Sequence, residues 1–344
     1  MMEIKLTEFT HGGGCGCKIA PDVLNRLLTE LKNTKLVPNL LIGLDNADDA
    51  SVYQINESQA VVVTTDFFAP VVDDPYDFGR IAATNAFSDV YAMGGKPILA
   101  LSVLGFPIDK IPEHVIKKIL QGGESVCREI KVPIAGGHSI DSKEPFYGLI
   151  ALGLINPKNI KANSHARAGD RLIITKPIGV GVISAALKTQ TVNQKTYQKF
   201  LHLTTQLNSV GSRLAEMEGI HAMTDVTGFG LIGHLLEVCR ASRLVARITL
   251  DDVPIIPEAL ELIKSGVMSG ASSRNWRSFK DSVQLIENDK WNTILCDPQT
   301  SGGLLITTEE KHSLEIIRIL RQAGCKDAKE IGYLSSGEPF VMGL

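Results

Sequence analysis

Along the 344-residue chain, hydrophobic positions recur at about two residues in some stretches and at about three and a half in others. After Pro21, a residue suited to a helix start, Val23, Leu24, Leu27, Leu28 and Leu31 fall at helical spacing and predict an amphipathic helix. Asn39 to Leu44 reads as a short buried strand, and Ala60 to Thr65 as a β-branched strand that ends at Asp66. From Asp77 to Met93, Phe78, Ile81, Ala82, Phe87 and Tyr91 keep a helical period that stops at Gly94-Gly95, a helix C-terminal signal. Lys96 to Gly105 predicts a strand. Ile111 to Ile130 predicts a helix in which Gly122-Gly123 allows an interruption. Ile134-Ala135 then leads into a glycine turn with polar tips, Gly136 to Asp141, and Phe146 to Ile155 reads as an apolar strand.

Asn156 to Asp170 loses the apolar period and gathers Pro157 with several Lys and Arg residues, which marks a domain boundary. The second half restarts with a strand at Arg171 to Thr175 and a glycine-rich turn at Pro177 to Gly181. Helical patterns follow at Ile183 to Lys188, Tyr197 to Glu218 and Leu231 to Arg240. Strands are expected at Leu244 to Leu250, at Leu304 to Thr307 and near Ile331 and Phe340, with a helix from Glu309 to Gln322. The class is mixed α and β, divided as 1–38 (glycine-rich segment and anchoring helix), 39–156, a 157–170 linker and 171–344.

Composition narrows the function. The 35 Lys and Arg residues against 38 Asp and Glu give a net charge of −3, and cationic runs are short pairs such as Lys117-Lys118. A nucleic-acid partner would leave a basic stripe, so none is expected. No run of about 18 apolar residues and no signal-like N-terminus occurs, which points to the cytoplasm and no membrane partner. Six cysteines without a regular framework fit reduced thiols, and Cys127, Cys239, Cys296 and Cys325 read as packing residues. Neither a G-x-x-x-x-G-K-[ST] phosphate loop nor a G-x-G-x-x-G after a strand is present.

The chemistry concentrates first in His11-Gly12-Gly13-Gly14-Cys15-Gly16-Cys17-Lys18. Two thiols, an amine and an imidazole stand among glycines that let the backbone fold over a substrate or swing as a flap, which places the segment outside the core. Thiols bind soft atoms, and Lys18 can lower a thiol pKa or neutralise phosphate. A disordered glycine-rich terminus is the bland alternative.

A second feature is carboxylates at the ends of elements: Asp48, Asp49, Asp66, Asp89 and Asp225. Acids repel a polyphosphate unless divalent cations lie between them, and Mg²⁺ commonly shares its shell between one or two carboxylates and substrate phosphates. Each Asp alone reads equally as a turn or cap residue. As a set they point to a nucleotide held through Mg²⁺, aided by glycine turns carrying Asp, Ser or Thr. Asn85 and Asp89, four apart, share one helical face. Arg274-Asn275 reads equally as a phosphate contact or a solvated loop, and His138 as structural or functional.

The flap sequence, Thr65-Asp66-Phe67-Phe68, Asp77-Phe78-Gly79-Arg80-Ile81-Ala82-Ala83-Thr84-Asn85-Ala86 with Ser88-Asp89, Gly136-Gly137-His138-Ser139, Thr224-Asp225-Val226-Thr227-Gly228-Phe229-Gly230 and Asp297-Pro298-Gln299-Thr300-Ser301-Gly302-Gly303 together resemble the selenophosphate synthetase family. Related ATP-using enzymes of the aminoimidazole-ribonucleotide-synthetase superfamily share the Asp and Gly motifs but not the Cys-x-Cys-Lys flap. The resemblance implies ATP-dependent conversion of selenide to selenophosphate with release of AMP and orthophosphate. It also implies two α/β domains, the first pairing across a homodimer in a β-barrel, with Mg²⁺ and also potassium in use. By motif, Cys15 and Lys18 match the essential flap residues, and Asp49, Asp89 and Asp225 match Mg²⁺ ligands. Asn46, Asp48, Asp66, Asp89, Gly137, His138 and Ser139, with Lys18, match nucleotide contacts. Selenide arriving free or from a protein carrier both fit. Rival readings are an ATP-dependent cyclo-ligase or thiamine-monophosphate kinase of the same superfamily, and a module in which His11, Cys15 and Cys17 bind a soft metal such as Zn²⁺.

Overall fold

A computed structural model describes residues 4–10, 12–19, 21–28, 37–189, 191–285 and 289–344. His11 and Leu31, named above, lie outside the described residues. Strands β1 (Leu40–Ile42), β2 (Ser51–Asn56), β3 (Gln59–Phe68), β4 (Lys96–Phe106), β5 (Ile134–Asp141) and β6 (Phe146–Ile155) form one sheet in the order β1-β2-β3-β6-β4-β5. All its neighbours are antiparallel except β4 and β5. Strands β7 (Arg171–Ile174), β8 (Ile220–Asp225), β9 (Leu244–Ile248), β10 (Val283–Gln284), β11 (Leu304–Thr308), β12 (Lys329–Ser336) and β13 (Phe340–Gly343) form a second sheet, ordered β10-β13-β9-β12-β7-β11-β8. Neither sheet closes on itself, so the barrel implied by the resemblance is not a feature of the single chain.

The helices are α1 (Pro21–Leu28), α2 (Pro75–Ala92), α3 (Glu113–Glu129), α4 (Val180–Lys188), α5 (Gln194–Thr204), α6 (Val210–Leu214), α7 (Gly230–Ser242), α8 (Pro257–Lys264), α9 (Gly270–Phe279), α10 (Asp289–Leu295) and α11 (Ser313–Gln322). Helix α2 is the axis of the molecule. Asp74 caps it by accepting from the Asp77 N–H at 2.8 Å, and Pro75 opens it. Nearly every residue from Phe78 to Ala92 is buried, the signature of a helix enclosed on all sides. It lies against the first sheet and α3, and meets β8, α5 and α6 of the second half.

Several elements differ from the sequence expectation, each for a physical reason. Helix α3 is not interrupted at Gly122-Gly123. A Cβ at Gly122 would stand 2.0 Å from the Tyr76 carbonyl, and one at Gly79 of α2 would stand 1.9 Å from the Ile119 carbonyl. The glycines thus let two helices touch backbone to backbone. Gly136 to Asp141 is strand β5 rather than a turn, held by parallel pairing to β4. The stretch expected as a buried strand at 39–44 is a three-residue edge strand with Leu41 and Leu44 exposed. The helix expected from Tyr197 to Glu218 is broken into α5 and α6, and Asn208 in the gap donates to Ser88 Oγ and the Gly302 carbonyl, both at 2.8 Å. Helices α8, α9 and α10 had no counterpart in the periodic pattern, and Arg274-Asn275 lies on α9 rather than in a solvated loop.

The 157–170 segment packs into the molecule, with Ile160, Ala162 and Asn163 buried. The Asp297-Pro298-Gln299 turn serves the start of α4: Gln299 Oε1 accepts from the Gly179 and Val180 N–H groups, and Asp297 Oδ2 from those of Gly181 and Val182. Burial pushes the Asp297 carboxyl up to about 7.

The following Ser301-Gly302-Gly303 turn is pinned by Lys176, which is only 3% exposed. Its ammonium donates to the carbonyls of Ser301 (2.8 Å), Gln206 (2.6 Å) and Leu203 (3.3 Å), and burial lowers its pKa to about 8. Between that value and the ~10.4 of an unfolded chain, the unfolded state holds a proton the native state has released, so stability rises with pH. The unaltered chain should gain on the order of 3 kcal/mol over Lys176→Met between about pH 7.5 and 10.5 in urea unfolding. Parallel stability curves for the two proteins would contradict this.

Candidate active site

Three elements deliver three carboxylates to one point. Asp49 comes from the loop before β2, Asp89 from the last turns of α2, and Asp225 from the end of β8. Their nearest oxygens all lie within 4.8 Å of one another. The neighbours fix their directions: Thr224 Oγ1 donates to Asp49 Oδ1 at 2.8 Å, and Thr64 Oγ1 donates to Asp89 Oδ2 at 2.5 Å. The second oxygens of Asp49 and Asp225 are buried without a hydrogen-bond partner. Burial, then Asp225, then Asp89 push the Asp49 carboxyl far above the usual range. Burial, then Asp225, then Asp66 do the same to Asp89. Buried acids with unsatisfied oxygens need a cation, and an all-oxygen donor set suits a hard one. Among the described residues this is the one His, Cys, Asp and Glu cluster with metal-binding spacing, and Cys15 and Cys17 form none.

Beside the acids the glycine-rich segment is docked rather than loose. Gly14 adopts φ +55°, its N–H donates to the Ala69 carbonyl at 2.9 Å, and a Cβ there would stand 2.3 Å from Thr300 Oγ1. Cys15 is 1% exposed, its N–H donates to Thr300 Oγ1 at 3.2 Å, and its thiol donates to Asn85 Oδ1 at 3.3 Å. The expectation that the flap stays outside the core is therefore corrected: with glycine on both sides, Cys15 can be pressed into the cleft.

Burial and then Asp66 hold the Cys15 thiol well above its ordinary pKa, against the pull of Lys18. The lysine acts in the expected direction but is outweighed, so the docked cysteine is a neutral thiol. For Lys18 the balance reverses. Desolvation of the amine disfavours its charge, although the residue as a whole is exposed, but Asp66 and then Asp89 and Asp225 hold the ammonium above its usual range. Lys18 Nζ lies 5.9 Å from the centre of the Phe229 ring, and a Cβ at Gly228 would meet the Lys18 stem at 2.8 Å. The Phe229 ring is stacked on His234, whose Nε2 accepts from the Thr227 N–H at 3.0 Å.

Asn85, fully buried on α2, joins the parts. Its amide donates to Asp66 Oδ2 at 2.6 Å while its oxygen accepts from Cys15 and, at 2.7 Å, from the Ser301 N–H. Its four-residue spacing from Asp89 signalled a shared face, but its role as a junction was not legible. Nor were those of Thr64, which read as an ordinary strand residue, and Thr224, which stood only within the motif around Asp225. Asp48 sits one residue before the cluster and accepts from the Asn163 N–H at 2.7 Å, and Asn46 is half-buried in the same loop. Gly137, His138 and Ser139 are not brought to this cluster. Gly137 pairs with Ser102, Ser102 with Leu149 and Leu149 with Asp66, so three strand spacings, ~14 Å, separate Gly137 from Asp66 in the sheet.

Two domain families match: AIR synthase related protein, N-terminal domain, over residues 47–155, and its C-terminal domain over 167–343. The selenide, water dikinase of Dechloromonas aromatica (strain RCB) is 52% identical over 341 residues, covering 98% of each chain. That of Pseudomonas straminea is 51% identical, covering 98% of this chain and 95% of its own. The chain belongs to the selenide, water dikinase family. Distant folds agree: thiamine-monophosphate kinase from Stenotrophomonas maltophilia K279a has a TM-score of 0.65 at 18% identity, covering 95% of this chain and 96% of its own. Hydrogenase maturation protein HypE in complex with ATP has a TM-score of 0.61 at 18% identity, covering 97% and 90%. In this selenide, water dikinase the cysteine and lysine of the flap lie beside the acids.

Because the three acids repel one another in the absence of a cation, Asp225→Asn should raise the metal-free thermal midpoint by about 3 °C. A divalent cation such as Mg²⁺ should raise the midpoint of the unaltered chain, and Asp225→Asn should lose most of that increase. A lower metal-free midpoint in Asp225→Asn would contradict the repulsion.

Proposed function

We propose that the chain joins ATP, selenide and one water in one site under the docked flap: selenide takes the γ-phosphoryl group to form selenophosphate and leaves ADP, and the water then hydrolyses the bound ADP to AMP and orthophosphate. The product is the selenium donor for selenocysteine and selenouridine-tRNA synthesis. The observation that carries this reading is the convergence of Asp49, Asp89 and Asp225 beside Lys18 and Cys15. The orphaned oxygens of Asp49 and Asp225 fit a divalent cation, and these three residues would hold Mg²⁺, which supplies the positive charge that balances a triphosphate.

The chain's own residues do the rest. Thr64 and Thr224 keep the acids aimed inward, and Asn85 keeps Asp66 and the flap in register. Lys18 offers a cation that stays charged at any physiological pH, placed to attract both phosphate and an anionic selenium nucleophile. The neutral Cys15 thiol adds no charge to repel that anion and positions the selenium, while the docked flap keeps water from the phosphoryl group before transfer. Asn46, Asp48 and Asp66 are assigned to the nucleotide.

Gly137, His138 and Ser139 enter the same reading through a homodimer. They lie on an open sheet edge, and Tyr53, Val63, Phe67 and Ile140 leave an apolar face of that sheet exposed, as a second copy would cover. No helix among the described residues is long and apolar enough to cross a membrane, and the six thiols are all free, as a reducing cytoplasm would keep them. Potassium use and delivery of selenium by a carrier protein belong to the reading as further expectations.

Phosphorus NMR of the chain with ATP, Mg²⁺ and selenide should show selenophosphate, AMP and orthophosphate in equal amounts. Cys15→Ala and Lys18→Ala should lower selenophosphate formation by at least about 100-fold with the fold intact. ADP as the final product, or full activity in Cys15→Ala, would count against the proposal, and a monomer in sedimentation would remove the dimeric part.

A further inference from the structure

On the outer side of the flap lies a second feature with a charge opposite to that of the acid cluster. A cavity of about 500 Å³ opens between the flap, α4 and α9. Its walls carry Lys18, Lys188, Arg274, Cys17 and the first turn of α9, and among the described residues no carboxylate lines it. The first turn of a helix carries partial positive charge, here at Gly270 and Ala271, with the Ala271 N–H already donating to the Ser269 hydroxyl at 3.2 Å. Arg274 donates to the Gly16 carbonyl at 2.8 Å, so its guanidinium is fixed at the flap. Lys188 and Arg274 both act on Cys17, against a pull from Glu144, but burial dominates and keeps the thiol neutral. The cavity shares Lys18 and Thr300 with the interior site, and Thr300 holds the Cys15 N–H there.

A small anion meets an electrostatic difficulty in this enzyme. Hydroselenide is a monoanion near neutral pH, and its target lies among Asp49, Asp66, Asp89 and Asp225. A direct approach along those acids is repulsive over several ångströms. A cation-lined chamber adjoining the flap gives the anion a place to accumulate before it passes Lys18. We propose that this cavity is the entry chamber for hydroselenide, with Lys188 as its principal attracting charge, held apart from the acid cluster by the flap. The chamber is larger than the ion and holds it with its water, and the neutral, soft Cys17 thiol lines its wall without adding negative charge. The inference rests on the functional reading above and deepens it by assigning the route of the second substrate.

Steady-state rates of selenophosphate formation, measured against selenide at saturating ATP and against ATP at saturating selenide, separate the possibilities. Lys188 is exposed in the last turn of α4, so its replacement leaves the core unchanged. Lys188→Gln should raise the KM for selenide about fivefold and Lys188→Glu about twentyfold, with kcat and the KM for ATP within about twofold of the unaltered enzyme. Lys188→Arg should restore the original value. Added salt should raise the selenide KM of the unaltered enzyme more than that of Lys188→Gln. An unchanged selenide KM in Lys188→Glu would overturn the chamber, and a parallel rise in the KM for ATP would assign the cavity to nucleotide phosphate instead. Failure of the unaltered chain to make selenophosphate would overturn the functional reading itself, an outcome distinct from both.

Discussion

Like charges buried together dominate this molecule. Asp49, Asp89 and Asp225 place oxygens within 4.8 Å of one another at the junction of the two halves, and Asp66 adds a fourth carboxylate nearby. Without compensation such a cluster is destabilising, since each ionised acid raises the cost of ionising the next. The surrounding structure is built to hold it regardless. Helix α2 is enclosed on every side, so the Asp89 backbone cannot retreat. Thr64 and Thr224 fix two carboxylates by hydrogen bonds, and the Asn163 N–H ties the Asp48 end of the loop to the connecting segment.

The flap is the counterpart of that cluster. Its glycines are required by close approaches, of Gly14 to Thr300 and of Gly12 to Cys17 Sγ, as much as by flexibility. They allow Lys18 to stand over Phe229 among the acids and Cys15 to reach Asn85. The electrostatic result is an ammonium held charged by the same carboxylates that are short of cations, beside a thiol held neutral by burial. Opposite signs are kept on the two sides of one segment: acids within, and Lys188 and Arg274 without.

Much of this was legible in the sequence, for definable reasons. The span of α2 follows from its apolar period and its glycine stop, and the acids were visible as Asp residues at element ends. What sequence could not carry was proximity between distant residues. Gly122-Gly123 reads as an interruption until Tyr76 is placed against it, and Gly136 to Asp141 reads as a turn because an exposed edge strand rich in glycine has no apolar alternation. Asp297 and Gln299, quoted within a motif of the family resemblance, serve the start of α4 more than 110 positions away. The junction at Asn85 and the neutral state of Cys15 depend on burial, which spacing along the chain does not express. The relation of Gly137 to the acid cluster depends on sheet order, which the sequence likewise leaves open.

The central claim is that the three acids form one cation site shared by both halves of the chain. Anomalous diffraction from crystals grown with Mn²⁺ and a non-hydrolysable ATP analogue tests it most directly. The account predicts a metal peak with Asp49, Asp89 and Asp225 oxygens at about 2.2 Å, bridging to the triphosphate. A nucleotide-bound metal contacting none of the three, with the acids left facing one another, would contradict it.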